Sequence, residues 1–214
     1  MQWGLLVLSL IFLIVAYIVL QGTRAAMAWR RAAAAGDLKV ISDIVDDALS
    51  VWRSAKRPKD VALEVWRGVQ GMQTVAIGPD FVRVACQAEG GYRLVAGRWV
   101  ETSNPLHDGM AITVKAADML LYELPHFRPD YVQIDVYTAF RDAEGVARRH
   151  CILSTTAHRQ AARQVDWDDW TPQQIVDALG GRYRLSDSGL PLPIEPDEPP
   201  ALNGGNGKKA AALS

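Results

Sequence analysis

Trp3 to Leu20, WGLLVLSLIFLIVAYIVL, is a run of 18 residues without a charge, and its only hydroxyl side chains are Ser9 and Tyr17. At about 1.5 Å per residue a helix of this length measures roughly 27 Å, close to the hydrocarbon thickness of a bilayer. Backbone groups in lipid must be satisfied within their own segment, so a single span has to be helical. Trp3, Tyr17 and Trp29 stand near its two ends, where amphipathic rings favour the boundary between water and lipid. The run therefore predicts one N-terminal transmembrane helix over residues 1–22, with the rest of the chain tied to a membrane.

The pattern differs from that of a cleaved signal peptide, which opens with positive charge and has a shorter apolar core. No Lys or Arg precedes Trp3, and Ala25-Ala26 is the one place that imitates a cleavage site. Arg24, Arg30 and Arg31 all follow the run. By the positive-inside rule they place the N-terminus outside and the following domain in the cytoplasm. Residues 23–36 are rich in Ala and Arg and read as a helical stalk that continues the anchor. The simplest account of its arginines is charge that sets topology, and recognition of anionic lipid is the sharper one. Gly36 breaks this run, and Asp37 is placed to cap the next helix.

Residues 37–185 are expected to form one soluble α+β domain of about 150 residues. With 49% hydrophobic residues and 22% charged, the chain can bury a real core. A net charge of −1 supplies no broad basic field for nucleic acid. Leu38, Ile41, Ile44, Val45, Ala48, Leu49 and Trp52 recur at three and four residues and predict an amphipathic helix. A short helix is expected within 59–69. Residues 72–101 then carry turn signals at Gly78-Pro79-Asp80 and Gly90-Gly91 and suggest an antiparallel meander. The TSNPLHDG stretch, 102–109, reads as a loop, with Asp108 capping a helix over 110–124. Tyr131 to Arg141 alternates apolar and polar residues as a strand, and 142–145 turns it into a returning strand over 146–156. One face of that hairpin is apolar. The other is polar, aromatic and charged and is expected to be solvated. A short helix over 157–165 precedes the Trp167–Trp170 loop, and Thr171-Pro172-Gln173-Gln174 opens a further helix. The fold expected is a compact domain with a largely antiparallel sheet and three to five helices. The Pro- and Gly-rich residues 186–214 are expected to be a disordered tail.

No pattern specifies catalysis. His107, His126, His150 and His158 lack the spacing of a zinc site, and a set of His107, Asp108, His126 and Asp130 would have to bridge a whole helix. Asp135 with Glu101 or Glu123 is a carboxylate pair to weigh. Ser154 or Cys151 with His150 or His158 lacks a nucleophile elbow. Cys86 and Cys151 read as reduced, buried thiols. No catalytic residue, metal site or cofactor is assigned.

The seven tryptophans are more suggestive. Trp167 and Trp170 flank acidic residues in a short loop, and Tyr131, Tyr137 and Arg141 share the polar side of the hairpin. These five are the candidate docking residues, because Trp and Tyr carry interface energy disproportionately. Trp3, Tyr17, Arg24, Trp29, Arg30 and Arg31 are the candidate membrane-interface residues. The expectation is a membrane-tethered, non-catalytic binding and assembly module, an accessory subunit of a larger membrane complex. Its partners would be the bilayer and other subunits, with no nucleic acid. The rival readings are a membrane-anchored hydrolase and a ligand-sensing domain.

Overall fold

The computed structural model describes residues 2–95, 98–141 and 146–196, with side chains placed for all of these except 2–9, 91–95, 98–103 and 141. Over the described residues it has an α+β fold with a mixed six-stranded sheet and six α-helices, five of them after the first.

Helix α1, Gln2–Ala34, runs for 33 residues without a break, so the apolar run and the stalk are one rod of about 50 Å. Residues Leu10–Ala34 are long and apolar enough to cross a membrane, and the most apolar window is not buried against the domain. The helix stops where Gly36 takes φ +78°. Gly36 N–H then donates to Ala33 O at 3.0 Å and Asp37 N–H to Ala32 O at 3.1 Å, which satisfies the orphan carbonyls of the last turn. Asp37 turns the chain directly into α2, Leu38–Ser54, by accepting from the Lys39 and Val40 amides. Ala33 is buried in the domain core, so the end of α1 is seated in it.

Ile41, Ile44, Val45, Ala48, Leu49 and Trp52 form the buried stripe of α2, as their spacing predicts. Helix α3, Leu63–Gln70, follows and leads into β1, Gln73–Ile77. The antiparallel expectation holds for β1 against β2, Phe81–Gln87, and one pair departs from it, making the sheet mixed. The other neighbour of β2 is β5, Tyr131–Arg141, and the two run parallel with Val82 opposite Val132 and Cys86 opposite Val136. Strands β3, Gly91–Val95, and β4, Arg98–Ser103, form a ribbon of their own. A parallel pair needs a long crossover, and helix α4, Pro105–Asp118, supplies it. β6, Ala147–His158, returns antiparallel on β5, followed by β7, Arg182–Leu185, and β8, Pro191–Leu192. The connecting residues 142–145 lie outside the described residues.

Three further boundaries differ from expectation. Helix α4, Pro105–Asp118, starts inside the stretch that reads as a loop, because the Asn104 side chain accepts from the Leu106 amide at 2.9 Å and Pro105 takes the first helical position. Asp108 therefore lies buried within the helix and does not cap it. A π-helical turn, Met119–Glu123, extends α4 to Leu124. Strand β6 runs on to His158 and leaves only one helical turn, α5, Arg159–Ala162, before α6, Pro172–Ala178. Residues 186–196, disordered by composition, carry β8 and a bridge from Ile194 to Cys151. Residues 197–214 of the expected tail lie outside the described residues.

Helices cover one face of the sheet. Val82, Val84 and Cys86 of β2, Val132, Ile134 and Val136 of β5, and Leu153 and Ala157 of β6 are all buried there. Gly109 lets α4 lie close on β5, since a Cβ there would stand 3.1 Å from Val136 Cγ1. The other face carries the polar residues, and the candidate site begins with them.

Candidate functional site

Arg83 sits in the middle of an apolar strand and points to the face opposite the helices. Its Nε donates to Asp135 Oδ2 at 2.7 Å. The other carboxylate oxygen accepts from Ser154 Oγ at 2.6 Å and from Gln133 Nε2 at 3.2 Å. The hairpin places Ser154 directly across from Asp135, while Arg83 arrives diagonally from β2. Asp135 and Gln133 are fully buried, so this part of the face is not the solvated surface its polarity suggests. A buried carboxylate is tolerated when paired and hydrogen-bonded, and both oxygens here are so engaged. The arrangement pins three strands together.

The other catalytic pairings do not assemble. Glu123 lies 3.5 Å from Lys115 Nζ, which also pairs with Asp118 at 2.8 Å, so it belongs to a separate ion-pair group. The Glu101 side chain lies outside the described residues. The His158 ring packs 5.3 Å from Tyr131 and the His150 ring 5.8 Å from Phe140, and neither is hydrogen-bonded to Ser154 or Cys151. His107 is exposed on α4 and Asp108 buried beside it, far in role from His126, which contacts the end of α1. Among the described residues no group of three or more His, Cys, Asp or Glu side chains could hold a metal ion.

Both cysteines are free and buried. Burial, with the Asp135 charge adding to it, pushes the Cys86 thiol up to about 12 and the Cys151 thiol up to about 11. The thiolate is the reactive form, so both thiols are expected to react with iodoacetamide at pH 8 at least about 100-fold more slowly than free cysteine. Mass-spectrometric labelling of the folded chain checks this. Fast labelling would show that the sheet opens locally at β2 or β6.

The candidate docking residues separate into different environments. Tyr131 is buried and stacks on Phe81 at 5.3 Å, so it belongs to the packing and offers no docking surface. Tyr137 is half-buried beneath the Arg149 guanidinium, 4.8 Å from the ring centre. The side chain of Arg141 lies outside the described residues. Trp167 folds back: its Nε1–H donates to Ala162 O at 3.0 Å, and its ring meets Tyr122 edge-on at 6.1 Å. Trp170 remains exposed. Thr171 and Gln174 close the capping box that ends this loop.

The surface around Tyr122 continues to the residues at the end of α1. The Arg159 guanidinium lies 5.6 Å from the centre of the Tyr122 ring. Tyr122 also lines a cleft of about 690 Å³ between the last turns of α1 and the Pro125–Phe127 corner. Arg30 reaches across this cleft, and its Nε donates to His126 Nδ1 at 3.2 Å. His126 is the only non-glycine residue with positive φ among those described, at +63°. The Phe127 amide donates over it to Pro125 O at 2.8 Å, a three-residue γ-turn that stores strain. Tyr17, Arg24, Trp29, Arg30 and Arg31 are exposed along α1, and the Tyr17 hydroxyl accepts from Gln21 Nε2. The side chain of Trp3 lies outside the described residues.

No known protein family, curated protein or solved structure matches this chain. The structure adds Arg83, Tyr122, Arg128 and Arg159 to the residues of interest. Arg83 had a visible signal, a cation alternating with apolar residues in FVRVACQ. Arg128 sits in a short connection, Arg159 opens a single helical turn and Tyr122 lies in the π-helical turn, none with a signal of its own.

Proposed function

We propose that this chain is a membrane-tethered, non-catalytic binding and assembly module, an accessory subunit of a larger membrane complex. Its first helix spans the bilayer with the N-terminus outside, and its α+β domain lies in the cytoplasm. The observation that supports this reading is the unbroken passage of an exposed apolar helix into a domain that buries the helix's last turn at Ala33. Such a tether holds the domain at a set height above the membrane and raises the effective concentration of contacts that are weak by themselves. The positive flank of Arg24, Arg30 and Arg31 supports the orientation. The aromatic surface of Tyr122, Trp167 and exposed Trp170 supports docking on a partner.

Gentle detergent extraction followed by native sizing tests the assembly reading. The chain is expected to travel in fixed stoichiometry with other membrane proteins. Migration alone as a monomer would overturn it. Protease protection in sealed vesicles tests orientation, with cleavage of the domain expected only from the cytoplasmic side.

A further inference from the structure

We propose that the cleft between the end of α1 and the His126 corner binds the phosphate of an anionic phospholipid headgroup. This rests on α1 being anchored in the membrane. Three kinds of observation carry it.

The first is charge without a counterion. Among the described residues no carboxylate lies within ion-pair distance of Arg30 or Arg128, although both line the cleft. Among the described residues Arg30 is tied through Nε to His126 alone, which leaves the paired terminal nitrogens that suit a phosphate. His126 Nδ1 is occupied by that bond, which leaves the ring's Nε2 for a further partner. Arg159 lies beyond Tyr122 on the same surface. Burial lowers its pKa most, the Tyr122 interaction opposes that, and the like charges of Arg128 and Arg163 lower it further. Asp130 offsets part of this.

The second is the mixed lining. Beside the cations the cleft presents Ala33, Leu124 and Phe127. Inorganic phosphate has no use for such a wall, whereas the glycerol and upper acyl carbons of a phospholipid do.

The third is height. Arg30 stands ten residues beyond Leu20, about 15 Å along the helix. Helical side chains lean toward the N-terminus of their helix, which here is toward the bilayer. Arg30 is thereby brought to the outer edge of the headgroup layer, and the strained turn at His126 holds the opposite wall against it.

The full-length chain in a neutral detergent can be titrated with phosphatidylglycerol, phosphatidylcholine or glycerol 3-phosphate, with adducts counted by native mass spectrometry. Phosphatidylglycerol is expected to bind at least ten-fold more tightly than phosphatidylcholine. Glycerol 3-phosphate, the soluble source of the same chemistry, is expected to leave no adduct. An arginine near an anionic surface is worth about 5-fold in affinity, so the double variant R30Q/R128Q should lose about 30-fold. R30K/R128K keeps the charge but not the paired nitrogens and should fall between the parent and R30Q/R128Q. Should the glutamine pair fail to fold, His126→Gly carries the comparison, because glycine accepts positive φ while removing the ring. Equal binding of the two lipids, an unchanged R30Q/R128Q or His126→Gly, or equal binding of glycerol 3-phosphate would each overturn the proposal. Alkaline carbonate extraction of the native membrane reports separately on the anchor, and native sizing on the complex, so failure of the lipid site cannot be mistaken for failure of either.

Discussion

Asp135→Ala is expected to destabilise the domain by about 3–5 kcal/mol, because it leaves the Arg83 guanidinium buried with no countercharge. Arg83 is only 13% exposed and Asp135 not at all, so water can do little to replace the lost carboxylate. Ser154 and Gln133 lose their acceptor in the same step. Against a total stability of about 5–15 kcal/mol this is a large fraction. Asp135→Asn keeps the volume and an acceptor oxygen but not the charge, and should fall between parent and alanine. The double change Arg83→Met with Asp135→Leu should cost less than Asp135→Ala alone, since neither partner is then left charged and buried. Denaturant midpoints of the detergent-solubilised chain measure all three. A loss under about 1 kcal/mol for Asp135→Ala would mean that water reaches this face after all.

Leu13→Arg is expected to abolish membrane retention. Leu13 lies mid-way along the apolar run and is 65% exposed, so its side chain meets whatever surrounds α1. An arginine at the centre of a span is disfavoured by about 2.5–3.5 kcal/mol, and the leucine's favourable contribution is lost as well. Together these shift insertion by roughly a few hundred-fold. After alkaline carbonate extraction the parent should pellet with membranes and the variant should appear in the supernatant. Val51→Arg, at an exposed position on α2, is the control and should leave retention unchanged. A Leu13→Arg chain that still pellets would rule out the single-span reading.

Local order was legible where one surface is buried over a long stretch. The stripe from Ile41 to Trp52 and the alternation from Tyr131 to Phe140 each repeat often enough to declare their period. The start of α4 was also legible in Asn104-Pro105, a cap followed by Pro at the first helical position, and the polar composition around it concealed this. Pairing between distant strands leaves no such trace. Nothing in Phe81–Gln87 says that its second neighbour lies about 50 residues away and runs parallel. The same reason hides the site: Asp135 looks like a solvated residue until β2 brings Arg83 to it. Tyr131 looks like a docking aromatic until Phe81 and His158 close on it. Trp167 could be foreseen as a lid or as an anchor, and only the Tyr122 ring decides between them.

The parallel pairing of β2 with β5 also sets an order of events during synthesis. β2 ends at Gln87 and β5 at Arg141, so 54 further residues must be added before β2 can gain its inner neighbour. At about 5–20 residues per second that is roughly 3–11 s during which an apolar strand has one side unpaired. A strand in that condition invites pairing with other chains, and a charged side chain on the strand is one device that discourages it. Arg83 is such a charge. The residue that ends as the buried partner of Asp135 spends the seconds before β5 arrives as a guard on the nascent chain.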